Sequence, residues 1–203
     1  LLNFTVDSNG HKTAPPKHLH RSLKKLKHQQ QRLSRKKKGS RNRNKQRIKV
    51  ARVHEKITNQ RNDFLHKLSH YYAANYSLIA VENLAISSMI QHPYLSRSIA
   101  DASWSRFIQM LCCKAERAGG IAVKVEPKGT SQYCSQCGYK VKKSLQERIH
   151  HCSCGLIIGR DHNAAINILK RALGQELPEV TPVEIEPLSF QVSSVNEAGR
   201  SAL

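Results

Sequence analysis

Four cysteines between residues 134 and 154, arranged as Cys134-Ser-Gln-Cys137-Gly and Cys152-Ser-Cys154-Gly, restrict the fold of this chain more tightly than any other feature. Each pair can bring two thiolates to one point, and the following glycine permits the tight turn that aims backbone N–H groups at sulfur. Four sulfurs at about 2.3 Å suit a tetrahedral Zn²⁺ with no position left open for catalysis, so the spacing predicts a structural zinc ribbon. The second knuckle has one spacer residue instead of two, which leaves His151 able in principle to replace a thiolate. Two disulfides or four unliganded cysteines are the competing arrangements, and the paired spacing together with the basic character of the chain favours metal in a reducing compartment. His150 and His151 read as polar strand residues and His162 as a helix-start residue. Cys112 and Cys113 fall apart from the cluster, in a helical pattern.

The 34 Lys and Arg against 14 acids give a net charge of +20, which points to a polyanionic partner. Nucleic acid leads and an anionic membrane surface comes second. No stretch is apolar for long enough to span a bilayer, and the opening residues lack the basic-then-apolar order of a secretory signal. Between residues 21 and 52 there is no acid at all. Lys24, Lys25, Arg32, Arg35, Lys36, Lys37, Lys38, Arg41 and Arg43 are therefore the candidate contacts to a phosphate backbone.

Asn9-Gly10, flanked by alternating apolar and polar residues, predicts a β-hairpin. Leu19, Leu23, Leu26 and Leu33, with Gln30 in the missing position, form one helical seam; Gly39-Ser40 breaks it. Val50, Val53, Ile57, Phe64, Leu68 and Tyr71 form a second, interrupted by Arg61. The two make an antiparallel helical hairpin. "SLIAVENL" reads as a strand buried on both faces and ending in Glu82, and a loop with His92-Pro93 follows. Ser98 to Ala118 is expected as one helix, stopped by Gly119-Gly120. "IAVKVEP" is the next strand, and Ala164, Ala165, Ile168, Leu169 and Ala172 mark a last helix stopped by Gly174. Strands alternating with helices indicate an α/β core. Residues 176–203, with three prolines and no sustained period, read as a weakly ordered tail.

Cutting a phosphodiester calls for acids that converge on hard divalent cations. Glu82 ends a buried strand at its carboxyl edge, where open α/β sheets place their sites, though a solvated strand-end acid would look the same. Asp161 opens a helix, where capping is the competing role. Asp7 stands two residues before Asn9-Gly10 and reads as a turn former.

Taken in order, "RLSRKKKGSRNRNKQRIKVARVHEKITNQRNDFLHKLS", "LIAVENL", "SIADASWSRF", "TSQYCSQCGY" and "RDHNAAINIL" resemble the carboxyl-terminal half of TnpB-type proteins, the OrfB family of insertion-sequence transposases. The resemblance covers roughly residues 1–173. It implies an α/β, RNase H-like (RuvC-type) core over residues 1–126, with a basic helical-hairpin insertion at about 17–75. A zinc-ribbon module at 127–160, a final core helix at 161–175 and the tail at 176–203 complete the expected domains. The implied activity is RNA-guided DNA cleavage linked to transposition, with DNA and guide RNA as partners and a cytoplasmic, nucleoid-associated setting in a prokaryote. Base pairing would read the sequence while protein reads duplex shape.

The family's acids transfer to Glu82 in "AVENL" and Asp161 in "RDHNAA", whose implied role is to hold Mg²⁺. Two departures stand out. Gly159 replaces the acid usually found two places before Asp161, and the family's first catalytic Asp, in a Gly-Ile-Asp strand, would precede Leu1. The expectation is therefore a nuclease fragment without its first core strand, cleaving DNA weakly or not at all by itself. The alternative is a nuclease-dead nucleic-acid-binding module of transposon origin.

Overall fold

A computed structural model of the chain describes residues 2–144 and 146–174; the expected tail at 176–203 lies outside the described residues. Asn9-Gly10 makes the predicted turn between β1 (Thr5–Val6) and β2 (Lys12–Thr13), which pair antiparallel. Gly10 adopts a φ of 83°, and Asp7 accepts the backbone N–H groups of Asn9 and His11 at 3.0 and 2.9 Å. That is the turn-forming role expected of it.

The two long helices are α1 (His18–Ser34) and α2 (Arg41–Asn75). Leu26, Val53 and Ile57 are buried between them, with Leu19 and Val50 against the same cluster. The α1 seam differs from expectation at one point: Gln30 is exposed and Gln29 turns inward, where its side-chain and backbone oxygens accept from the buried Gln46 amide at 2.7 and 3.2 Å. The α2 seam also shifts. Tyr71 is exposed, and Leu65, Ser69, Tyr72 and Ala73 are the buried residues at that end. A 3.5-residue seam drifts by about 20° per heptad around a straight helix, and α2 is long enough to change partner from α1 to the main core as it does so.

That core gathers Phe4, Leu65, Tyr72, Ile79, Phe107, Leu111 and Ala115. Phe4 meets Phe64 and Phe107 edge-on, at centroid distances of 5.1 and 5.2 Å, and its carbonyl accepts from the Trp104 indole. The expected strands are β3 (Leu78–Glu82) and β4 (Ile121–Val125), paired parallel with Glu82 opposite Val125. Gly120 is required at the entry to β4, because a Cβ there would lie 2.9 Å from the Ser77 carbonyl oxygen. The last strands are β5 (Ile149–His151) and β6 (Ile157–Gly159), antiparallel to each other. Among the described residues the strands form three separate two-stranded ladders.

The connection between β3 and β4 holds α3 (Ile86–Ile90), α4 (Ser96–Ala102) and α5 (Trp104–Arg117). The single helix expected over 98–118 is thus two, broken at Ser103, which takes a left-handed φ of 54°. The break lets Ile99 and Ala102 bury on one heading while Phe107, Leu111 and Ala115 bury on another. The final helix, α6 (Arg160–Leu173), lies against β3 and β4 and ends at Gly174.

Candidate functional site

The two cysteine knuckles fold as matching turns. Gly138 N–H donates to the Cys134 carbonyl at 2.9 Å and Gly155 N–H to that of Cys152 at 3.0 Å, with φ of 75° and 92° at the glycines. The four Sγ atoms lie within 4.8 Å of one another. The Cys134–Cys154 and Cys137–Cys152 separations are 3.7 and 3.5 Å. A disulfide needs about 2.05 Å, whereas a tetrahedral site with 2.3 Å bonds has S···S edges of about 3.8 Å. The donor set and spacing therefore fit a thiolate-bound metal, and all four are free thiols. His151 is not part of the cluster.

The thiols also show the electrostatic need for a cation. Cys152 is pulled down to about 6, first by the Cys154 backbone N–H, and neighbouring thiols help hold its charge. Cys154 receives the Leu156 backbone N–H, but burial and the three other sulfurs outweigh it and push it up to about 12. Without a positive ion, four adjacent sulfurs cannot all ionise. His150, placed on β5 as expected, is fully buried beside this cluster and not solvated; its Nδ1 contacts the Lys143 ammonium.

α6 clamps the module to the core through a polar stripe that sequence periodicity missed. Buried Asn163 accepts the Ser135 N–H at 2.9 Å and donates to the Tyr133 carbonyl at 2.7 Å. Asn167 donates to the carbonyls of Thr130 and Tyr133 at 2.8 and 2.7 Å, and Lys170 to that of Ser135. The available signal was two amides four residues apart, interleaved with the apolar residues Ala164, Ala165, Ile166, Ile168 and Leu169, a placement that helices do not favour without a partner.

The opposite face of α6 borders a cleft. Glu82 from the end of β3 and Asp161 from the first turn of α6 both line it, together with Arg148 and Arg160. Among the described residues lining the cleft, these two are the acids. Glu82 Oε1 accepts the Thr130 hydroxyl at 2.5 Å. Asp161 Oδ2 accepts the Asn3 amide at 3.3 Å, and its Oδ1 is 3.9 Å from Arg160 Nε. The capping role considered for Asp161 is not made: Gly159 is the cap residue and no side chain bonds there. Asp161 instead adds negative charge to the helix's positive end. His162 donates through Nε2 to the Ser8 carbonyl at 3.0 Å, which docks the β1–β2 turn on α6.

On the helical hairpin, Lys24, Lys25, Arg32, Arg35, Lys37, Lys38 and Arg41 are exposed, and Lys36 and Arg43 are half-buried. Arg43 has a structural duty as well. Its guanidinium donates to the Leu33 and Lys36 carbonyls at 3.1 and 3.3 Å, closing the end of α1. No helix among the described residues is long and apolar enough to cross a membrane.

Residues 1–92 match a family model described as "Probable transposase", and residues 104–168 match one described as "Cas12f1-like, TNB domain". A protein of Streptomyces pristinaespiralis named "Putative RNA-guided DNA endonuclease" is 40% identical over 177 residues, covering 85% of this chain and 44% of that protein. "Putative RNA-guided DNA endonuclease InsQ" of Escherichia coli (strain K12) is 33% identical over 202 residues, covering 89% and 50%. The chain spans about half the length of these curated relatives. Among solved structures, the cryo-EM structure of the Cas12f1-sgRNA-target DNA complex matches 78% of this chain and 43% of that one, with a TM-score of 0.54 and 20% identity. That likeness is one of fold: a mixed α/β architecture.

Proposed function

We propose that this chain, which belongs to the TnpB-type (OrfB) family, carries the nuclease chemistry of an RNA-guided DNA endonuclease on a RuvC-like core. The observation that carries the reading is the convergence of Glu82 and Asp161, from distant parts of the sequence, on one cleft lined also by Arg148 and Arg160. Hard carboxylate oxygens suit Mg²⁺, and arginines beside them suit a phosphate. When bound, Mg²⁺ would supply an activated water and neutralise charge on the reacting phosphate. Glu82 and Asp161 would hold it, and Arg148 would draw the backbone into the cleft.

Cys134, Cys137, Cys152 and Cys154 would hold a structural Zn²⁺, ordering the module that α6 clamps. The guide RNA and target DNA, the partners written into the relatives' names, would lie along Lys24, Lys25, Arg32, Arg35, Lys36, Lys37, Lys38, Arg41 and Arg43. The two acids among the described residues lining the cleft are few ligands for a pair of ions, and on this reading cleavage by these residues alone would be weak. That same observation favours a second reading, a module that binds nucleic acid without cutting it.

Mn²⁺ titration of the 203-residue chain, followed by loss of the free-ion electron paramagnetic resonance signal, separates the two. The nuclease reading expects binding that Glu82→Gln and Asp161→Asn each weaken by about tenfold or more, since charged ligands dominate such sites. Equal binding by wild type and both variants would leave only the second reading standing.

A further inference from the structure

The hydrogen bond between Thr130 and Glu82 joins two parts of the molecule that the sequence keeps separate. Glu82 ends a core strand, while Thr130 belongs to the turn that leads into the cysteine module. Thr130 is 3% exposed, and its hydroxyl reaches both Glu82 Oε1 at 2.5 Å and the Pro127 carbonyl at 3.1 Å. A single hydroxyl hydrogen serves one acceptor, and the shorter, charge-assisted bond to the carboxylate takes it. The bond thus orients the carboxylate while leaving lone pairs on both oxygens for a cation.

Where Thr130 stands is set by the module. Its carbonyl accepts the Asn167 amide, and the same amide holds the carbonyl of Tyr133, the residue before Cys134. The Tyr133 ring also covers Gly129, where an added Cβ would lie 2.6 Å from Cε2. Once the backbone at Thr130 is fixed, the short side chain has only a few staggered rotamers, and the one adopted aims the hydroxyl at Glu82. A continuous path of contacts thus runs from Cys134 through Tyr133 and Asn167 to Thr130 and Glu82.

We propose that Thr130 is a positioning residue that makes cation binding at Glu82 depend on the metal-ordered cysteine module. The proposal rests on the nuclease reading of Glu82. Partners of this kind orient metal-binding carboxylates, and their loss typically weakens affinity by about 10- to 100-fold. A nuclease built this way would assemble its acid only when the module is folded.

The test is Mn²⁺ titration of the whole chain with zinc loaded, comparing wild type, Thr130→Val, Thr130→Ser and Glu82→Gln. Thr130→Val, which keeps the shape and removes the hydroxyl, should weaken Mn²⁺ binding by about tenfold or more. Thr130→Ser should restore it to within about threefold, because the donor remains. Should Thr130→Val fail to fold, Thr130→Ala removes the same donor without adding bulk. Wild type stripped of zinc should bind Mn²⁺ as weakly as Thr130→Val, and stripping that variant should weaken it no further. Thr130→Val binding Mn²⁺ like wild type while Glu82→Gln does not would overturn the proposal and leave the nuclease reading intact. Equal weakening on zinc removal in wild type and Thr130→Val would also overturn it. Glu82→Gln binding like wild type would sink the nuclease reading itself.

Discussion

Asn163 Oδ1 accepts the backbone N–H of Ser135 at 2.9 Å, with Asn163 fully buried and Ser135 nearly so. One side chain on the last helix thereby fixes the loop between the first two cysteines. Asn163→Ala would leave that N–H buried without an acceptor, whereas the Tyr133 carbonyl keeps its bond from Asn167. The expected loss is about 1–3 kcal/mol, the cost of one unsatisfied buried donor. Chemical denaturation should show a lower midpoint with an unchanged slope; a midpoint equal to wild type would contradict the clamp.

Zinc uptake by the stripped chain should release protons. Cys137 and Cys154 are raised above the ordinary thiol value, so both enter the site from the protonated form at pH 7. Cys152, near 6, is already largely a thiolate. At least two and fewer than four protons per zinc are expected, measured with an indicator in weak buffer. The stripped chain should also lose protease resistance across residues 127–160.

How legible each feature was depends on how local its cause is. The cysteine site could be read because its ligands come from two short turns whose spacing is itself the signal. The helical hairpin followed from apolar periodicity, and the strand ending at Glu82 from a short continuous apolar run. Ser103 could not be read: residues 98–118 keep a helical pattern throughout, and the break serves tertiary burial on either side of it. That Glu82 and Asp161 line one cleft was expected only through the family resemblance, since periodicity left each of them an ordinary alternative. The bond from Thr130 to Glu82 had no local signal at all, because its geometry exists only once α6 has docked the module.

Asp101 and Arg61 form an ion pair at 2.7 Å with both side chains largely covered, and Asp101 also accepts the Leu19 N–H at the start of α1. Asp101→Ala would strand a half-buried guanidinium and uncap α1 together. The expected cost is about 2–4 kcal/mol, below that of a fully buried pair because water still reaches Arg61. Arg61→Met should cost less, since Asp101 keeps the Leu19 bond. Equal losses in the two variants would show that the cap contributes nothing.

His18 gives the stability a pH dependence of known sign. Its pKa is lowered from 6.5, chiefly by burial, with Asp101 and Asp63 opposing and Arg21 and Arg61 adding to the shift. The unfolded chain therefore binds this proton more readily, so stability rises with pH across the gap between the two values. The contribution is fully present above about 6.5 and is lost as pH falls through the folded value. Melting His18→Gln beside wild type should show the two curves separating below that pH, with the variant losing less on acidification.

The basic hairpin separates phosphate contacts from structural cations. Arg32 in the last turn of α1 and Arg35 just after it are exposed, while Arg43 spends its guanidinium on the carbonyls that end α1. If the exposed pair contacts phosphates, replacing both with alanine should reduce the slope of log affinity against log salt by about 1.4 to 1.8, at roughly 0.7–0.9 per contact, and leave the melting temperature unchanged. Arg43→Ala should do the reverse in kind, lowering thermal stability by uncapping α1, with at most one contact's change in slope. The measurement is filter binding or anisotropy over a salt series, paired with a thermal melt of each variant. A slope that does not move in the double variant would remove α1 from the nucleic-acid surface, whatever the net charge of the chain.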